Sequence, residues 1–177
     1  MEFEILYAIQ KLHTPFGDWF MPMVSSLGNV GIFWIMLSAA FLAFKKTRKC
    51  GVLILFSMLL CFIAGNMFLK NWVARPRPCW LEPSVPLLIP MPEDFSFPSG
   101  HTMHGFAAAT AIFLHFRKAG VMAFILAAVI AFSRMYLFVH FPTDILAGLI
   151  IGTGIALLVY LGAAKMSRKR EMRDSRG

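Results

Sequence analysis

Five apolar runs, at about Leu27–Phe44, Gly51–Leu69, Ser99–Phe116, Ala119–Val139 and Ile145–Ala164, constrain this chain more than any other feature. A helix needs about 20 apolar residues, within a range of about 17–25, to cross the hydrocarbon core of a bilayer. Each run reaches or approaches that length. Backbone polar groups in lipid must be satisfied within the segment itself, so such runs fold as spanning helices. Composition agrees: of 177 residues, 58% are hydrophobic and 15% charged, with a mean hydropathy of +0.69. Soluble domains run about 45–50% apolar and about 25% charged, and a chain this short cannot hide the excess in one soluble core. Disorder is excluded. Three Cys are too few for a disulfide framework. The expectation is an all-α, polytopic membrane helix bundle with five spanning helices.

Met1–Ser26 is also apolar, but Pro15, Gly17, Asp18 and Pro22 interrupt it and neither half is long enough to span. It is expected as a helical segment lying in the interface, with Trp19 and Phe20 at headgroup level. A sixth span is the alternative. Met1-Glu2-Phe3-Glu4 lacks the basic start and cleavage site of a signal peptide, so the chain reads as uncleaved. Three parts result: the interfacial segment 1–26, a membrane domain 27–164 and a basic tail 165–177. Most of the 17 Lys and Arg fall in the loop Lys45–Lys49, in the pair Arg117–Lys118 and in the tail. The positive-inside rule then puts the tail in the cytoplasm and the N-terminus outside. The net charge of +8 is thereby a topology signal, and no nucleic-acid partner is implied.

The loops left outside are unusual for a membrane protein. Lys70–Phe97 opens as Lys70-Asn71-Trp72-Val73-Ala74-Arg75-Pro76-Arg77-Pro78 and enters the third run through Pro98-Ser99-Gly100-His101. The fourth run closes on Ser133-Arg134, followed by His140 and Asp144. With five spans, all three clusters reach one membrane face. Ionisable residues at membrane depth are expensive and mark function. Three cations, two His and one Asp describe an anion pocket with acid–base chemistry beside it.

Lys70-x6-Arg77-Pro78, Pro98-Ser99-Gly100-His101 and Ser133-Arg134-x5-His140-x3-Asp144 together resemble the three-part signature of the type-2 phosphatidic acid phosphatases. These are integral-membrane lipid phosphate phosphatases whose pocket is shared with vanadium haloperoxidases. The residues support the same chemistry on their own. Asp144, four residues after His140, is placed to accept the imidazole Nδ1–H and leave Nε2 as a nucleophile. His101, at the start of the third run, is suited to protonate the leaving oxygen. Lys70, Arg77, Arg134, Ser99 and the backbone N–H of Gly100 are expected to hold the phosphoryl oxygens, helped by the helix N-terminus near Ser99. The resemblance implies a phosphohistidine intermediate and no metal or other cofactor.

The expected partners are a lipid phosphate or diphosphate and the bilayer. The preferred substrate is expected to be undecaprenyl diphosphate, cleaved at the outer leaflet of a bacterial plasma membrane. The short chain is similar to compact bacterial undecaprenyl diphosphate phosphatases of this family. Phosphatidylglycerol phosphate and phosphatidic acid are the alternatives. A non-enzymatic anion carrier needs the cations but not His101, His140 and Asp144. His13, His104 and His115 have no matching company and read as structural. Arg75 reads as an interface cation, Trp72 and Trp80 as an aromatic belt, and Glu82, Glu93 and Asp94 as loop acids without ligand spacing.

Overall fold

The structure, a computed structural model, describes residues 1–174. Its helices are α1 (Glu2–Gln10), α2 (Pro15–Ser26), α3 (Ile32–Ala43), α4 (Arg48–Cys61), α5 (Lys70–Val73), α6 (Pro78–Leu81), α7 (Gly100–His115), α8 (Arg117–Tyr136) and α9 (Pro142–Asp174). A short 3₁₀ turn, Asn29–Gly31, joins α2 to α3, and a π-helical stretch, Phe62–Leu69, joins α4 to α5. No strand occurs among the described residues, so the all-α expectation holds. Arg176, counted in the expected tail, lies outside the described residues.

Among the described residues, three helical stretches are long and apolar enough to cross a membrane: Arg48–Leu81, Arg117–Tyr136 and Pro142–Arg173. A fourth arises if α2 and α3, bent by 46° at their junction, are taken as one broken span. The five expected runs therefore map onto the helices with two differences. The first run does not form one helix from Leu27; its start is spent on the turn at Val30 and Gly31, both at positive φ, and α3 alone covers about 18 Å at 1.5 Å per residue. The third run is the 16-residue α7, short for a span. It lies at the centre of the bundle, buried from Thr102 to Ile112 and packed between α8, α9 and α4.

Small residues make that central position possible. Gly105 and Ala107–Ala109 line α7, and a Cβ at Gly105 would sit 3.2 Å from the Cβ of Ala127 on α8. On the facing side a Cβ at Gly152 of α9 would lie 2.2 Å from the Met103 carbonyl oxygen, and one at Gly148 2.7 Å from that of Ser99. Helices approach this closely in membranes where small side chains let backbones meet. The outer faces are apolar: Leu55, Phe56 and Leu59 on α4, Met122 and Ile125 on α8, and Leu146, Ile150, Leu158 and Leu161 on α9 are exposed. An apolar exterior around a core that holds buried charges is the pattern expected in lipid.

At one end of the bundle α1 packs on the turn between α8 and α9. Leu6 is fully buried with Leu137, Phe138, Val139 and Phe141, and Phe3 meets Phe141 edge-on at 5.3 Å. This packing holds Phe138 at φ 57, a conformation that costs a bulky residue about 1–3 kcal/mol. The left-handed step reverses the chain after α8 and carries Val139 and His140 back toward the centre.

Candidate active site

Each cluster is delivered by a break in a helix. The π-helical stretch ends at Leu69, directly before Lys70, and Ala74, at φ 48, stops α5. Pro76 and Pro78 then hold Arg77 extended, at φ −81 and ψ 154. Ser99 is the N-cap of α7, placing Gly100 and His101 in its first turn. Arg134 lies near the end of α8, and His140 in the reversed segment before α9. These elements enclose a cavity of about 570 Å³ whose lining includes Lys70, Arg77, Gly100, His101, Arg134 and His140. Six of the eight expected site residues are thus brought together. Ser99 and Asp144 lie behind the wall: both are fully buried, and the Ser99 hydroxyl accepts a hydrogen bond from Thr102 at 3.0 Å.

The geometry fixes the state of His140. Arg77 Nη1 lies 3.1 Å from His140 Nε2 and donates to the Val139 carbonyl at 2.8 Å. A guanidinium is always protonated and only donates, so Nε2 must be the acceptor and the proton sits on Nδ1. Burial, together with the charges of Arg77, Arg134 and Lys70, holds the imidazole well below its usual range and so keeps it neutral. The single lone pair of Nε2 is therefore held by Arg77 at the wall of a cavity lined by cations, and it is free to attack once Arg77 turns to a bound anion.

The direct His140–Asp144 hydrogen bond expected from the spacing is replaced by a relay. Nδ1 is 3.5 Å from Asp144 Oδ2, too far for a good bond. Ser96, fully buried, stands between them: its hydroxyl donates to Oδ2 at 2.5 Å and lies 3.3 Å from Nδ1. With the proton on Nδ1, the chain runs from imidazole N–H to hydroxyl to carboxylate. Asp144 also accepts from the Phe141 N–H at 2.8 Å and from Arg75 Nη1 at 2.8 Å. Arg75 is consequently no interface cation. It stacks 4.0 Å over the Phe141 ring and pairs with Glu2 at 2.5 Å, which in turn accepts from the Thr143 hydroxyl at 2.7 Å.

Asp94 is the other departure from the sequence reading. Its carboxylate pairs with Lys70 and, at 2.6 Å, with Arg77 Nη2, while its own carbonyl accepts from Arg77 Nε at 2.6 Å. Partial burial raises its pKa, but the hydrogen bond from Lys70 and the charges of Arg77 and Lys70 prevail and bring it to about 2. A carboxylate already sits on two of the three cations expected to hold phosphate. Trp80 helps to fix this loop by donating to the Pro92 carbonyl at 3.0 Å, a packing role in place of the expected belt; Trp72 is 84% exposed.

Arg134 is 5% exposed; Nη1 donates to Ser25 at 2.5 Å, and Nε is buried without a partner among the described residues. Asn66 presents a second unpartnered buried atom, Oδ1, in the cavity wall. It was legible as the only amide in the run Gly51–Leu69, and π-helical turns such as the one that carries it gather at functional sites. His104 also lines the cavity. His13 stacks on Tyr136 and pairs with Asp18 at 2.9 Å, and His115 bonds to the Ala111 carbonyl. No three His, Cys, Asp or Glu side chains among the described residues group as a metal site.

The family model described as the PAP2 superfamily matches residues 51–168. An undecaprenyl-diphosphatase of Sulfolobus acidocaldarius is 34% identical over 126 residues, spanning 71% of this chain and 61% of that protein. Two crystal structures share the fold. A transmembrane PAP2-type phosphatidylglycerolphosphate phosphatase from Bacillus subtilis superposes with a TM-score of 0.74 at 27% identity, covering 92% of this chain and 84% of that one. LpxE from Aquifex aeolicus gives 0.73 at 27% identity, covering 90% and 94%. Motif, cavity and fold agree, and the chain belongs to the PAP2 superfamily.

Proposed function

We propose that this PAP2-family membrane phosphatase hydrolyses a lipid diphosphate by attack of His140 on phosphorus, with undecaprenyl diphosphate as its preferred substrate. The observation that carries the reading is the Arg77–His140 contact, which leaves an unprotonated Nε2 in a cation-lined cavity. As the N–P bond forms, the P–O bond to the lipid phosphate breaks and the leaving oxygen takes a proton from His101. Lys70, Arg77, Arg134 and the Gly100 N–H offset the charge on the equatorial oxygens. Water then attacks the phosphohistidine and gives a proton back to His101; the N–P bond breaks and inorganic phosphate leaves. Ser96 and Asp144 hold the Nδ1–H throughout. The donors are cations and N–H groups, so the reaction proceeds without a metal.

The rim supports an amphiphilic substrate. Val30, Phe62, Ile89, Pro90 and Pro92 line the same cavity as the cations, giving a hydrocarbon chain a path beside the phosphate. Two arguments favour undecaprenyl diphosphate: the relative of that name from Sulfolobus acidocaldarius, and the basic loops and tail, which put the site on the outer face where the spent carrier is left. Phosphatidylglycerol phosphate is the second reading, favoured by the shared fold with the Bacillus subtilis enzyme.

Phosphate release by the purified protein should be measured on undecaprenyl diphosphate, phosphatidylglycerol phosphate, phosphatidic acid and diacylglycerol diphosphate, each with and without chelator. The highest kcat/KM is expected on undecaprenyl diphosphate, with activity retained in chelator. A clear preference for phosphatidylglycerol phosphate overturns the substrate. Loss in chelator that a divalent ion restores overturns the metal-free reaction.

A further inference from the structure

The turn between α2 and α3 lies outside the segment matched by the family model, yet it reaches the cavity. Gly28, Asn29 and Val30 are all part of the lining. Val30 and Gly31 are consecutive left-handed residues, at φ 53 and φ 69. For a β-branched residue that is 89% exposed, this conformation is costly, and its own burial gives nothing back. The turn does place Asn29 Oδ1 3.0 Å from His101 Nε2. It also seats Gly28 against the same ring: a Cβ there would lie 2.5 Å from His101 Cδ2. One helical turn earlier, Ser25 accepts from Arg134. The N-terminal helices thus hold two residues of the site, one through each contact.

We propose that Asn29 is a positioning residue for proton transfer at His101. The amide oxygen accepts the Nε2–H, fixes the rotation of the ring and leaves the proton on Nδ1 of the imidazolium as the one that is delivered. When the P–O bond breaks, that proton passes from Nδ1 to the leaving oxygen, and His101 remains as the neutral Nε2–H form on Asn29. The attacking water later returns a proton to Nδ1. Gly28 is required at its position because any side chain displaces the ring. This rests on the general-acid role given to His101 above.

A poor leaving group depends on the acid and a good one does not, so the test compares kcat on phosphatidic acid, which loses an alkoxide, with kcat on p-nitrophenyl phosphate. Asn29→Ala should lower the first about tenfold and the second less than about threefold, with KM little changed. Gly28→Ala should show the same split, since it moves the ring while keeping the acceptor. Asn29→Asp, which retains an oxygen at that place, should narrow it. Equal losses on both substrates in Asn29→Ala, or none, while His101→Ala shows the split, overturn the proposal. Equal losses in His101→Ala itself remove the acid role of His101, and the proposal with it.

Discussion

Ser96 sits where a hydroxyl converts a 3.5 Å gap between His140 and Asp144 into two usable contacts. Removing it leaves the buried Nδ1–H without an acceptor, while Oδ2 keeps only the Phe141 N–H, a loss worth more than the bond itself. Ser96→Ala should lower kcat about tenfold with KM nearly unchanged; a variant with full turnover would show that Asp144 acts without the relay. Asp94 makes a different prediction, because any phosphate must compete with its carboxylate for Lys70 and Arg77. Asp94→Asn should tighten competitive inhibition by orthovanadate about tenfold, and weaker inhibition would mean that the carboxylate organises the cradle instead. The state of His140 sets the pH dependence. Its free value is about 6.5, and burial with three nearby cations holds it well below that. Protonation removes the nucleophile, so the loss of kcat/KM on acidification that a free imidazole would cause near about 6.5 should be displaced to well below that pH. An acid limb centred at 6.5 or above contradicts the buried, neutral imidazole.

At the scale of elements, the bundle depends on how closely α9 lies against α7. Gly152 faces the Met103 carbonyl, while Gly154, two residues along, has open space around it. Gly152→Ala should lower the thermal midpoint through a destabilisation of about 1–3 kcal/mol. Gly154→Ala should leave it unchanged or raise it, since Ala is the better helix former by about 1 kcal/mol. Equal effects at the two positions would contradict the packing. The apolar runs made α4, α8 and α9 legible because lipid demands length and uniform hydrophobicity, and both are visible in a one-dimensional string. The break between α2 and α3 was not legible. Gly28, Asn29 and Gly31 are turn residues, but apolar residues flank them on both sides, and the contact made by the turn, Asn29 on His101, joins residues distant in sequence. The last third of α9 was missed for the opposite reason: Lys165–Lys169 ends the apolar signal but nothing in it stops a helix.

Across the whole molecule, the charged and imidazole residues that line the cavity were readable and those that hold them were not. Lys70, Arg77, His101, Arg134 and His140 carry fixed spacings, and five different structural elements bring them to one cavity. Ser96, Arg75, Glu2, Asp94 and Asn29 act through them from loops and from the N-terminal helices. Their types are ordinary and their partners lie far along the chain, so no local pattern marks them. The N-terminal helices, expected as an interfacial segment, pack on the turn that carries His140 and touch Arg134, which ties them to the chemistry as well as to the membrane.

The central claim is that His140 Nε2 takes the phosphoryl group. It is tested by mixing enzyme with lipid diphosphate labelled at the terminal phosphate, denaturing within the first turnovers at alkaline pH, and mapping the label by peptide mass spectrometry. Label on His140, absent in His140→Ala together with all turnover, is the result expected. Turnover by His140→Ala, or label on another residue, would contradict the account.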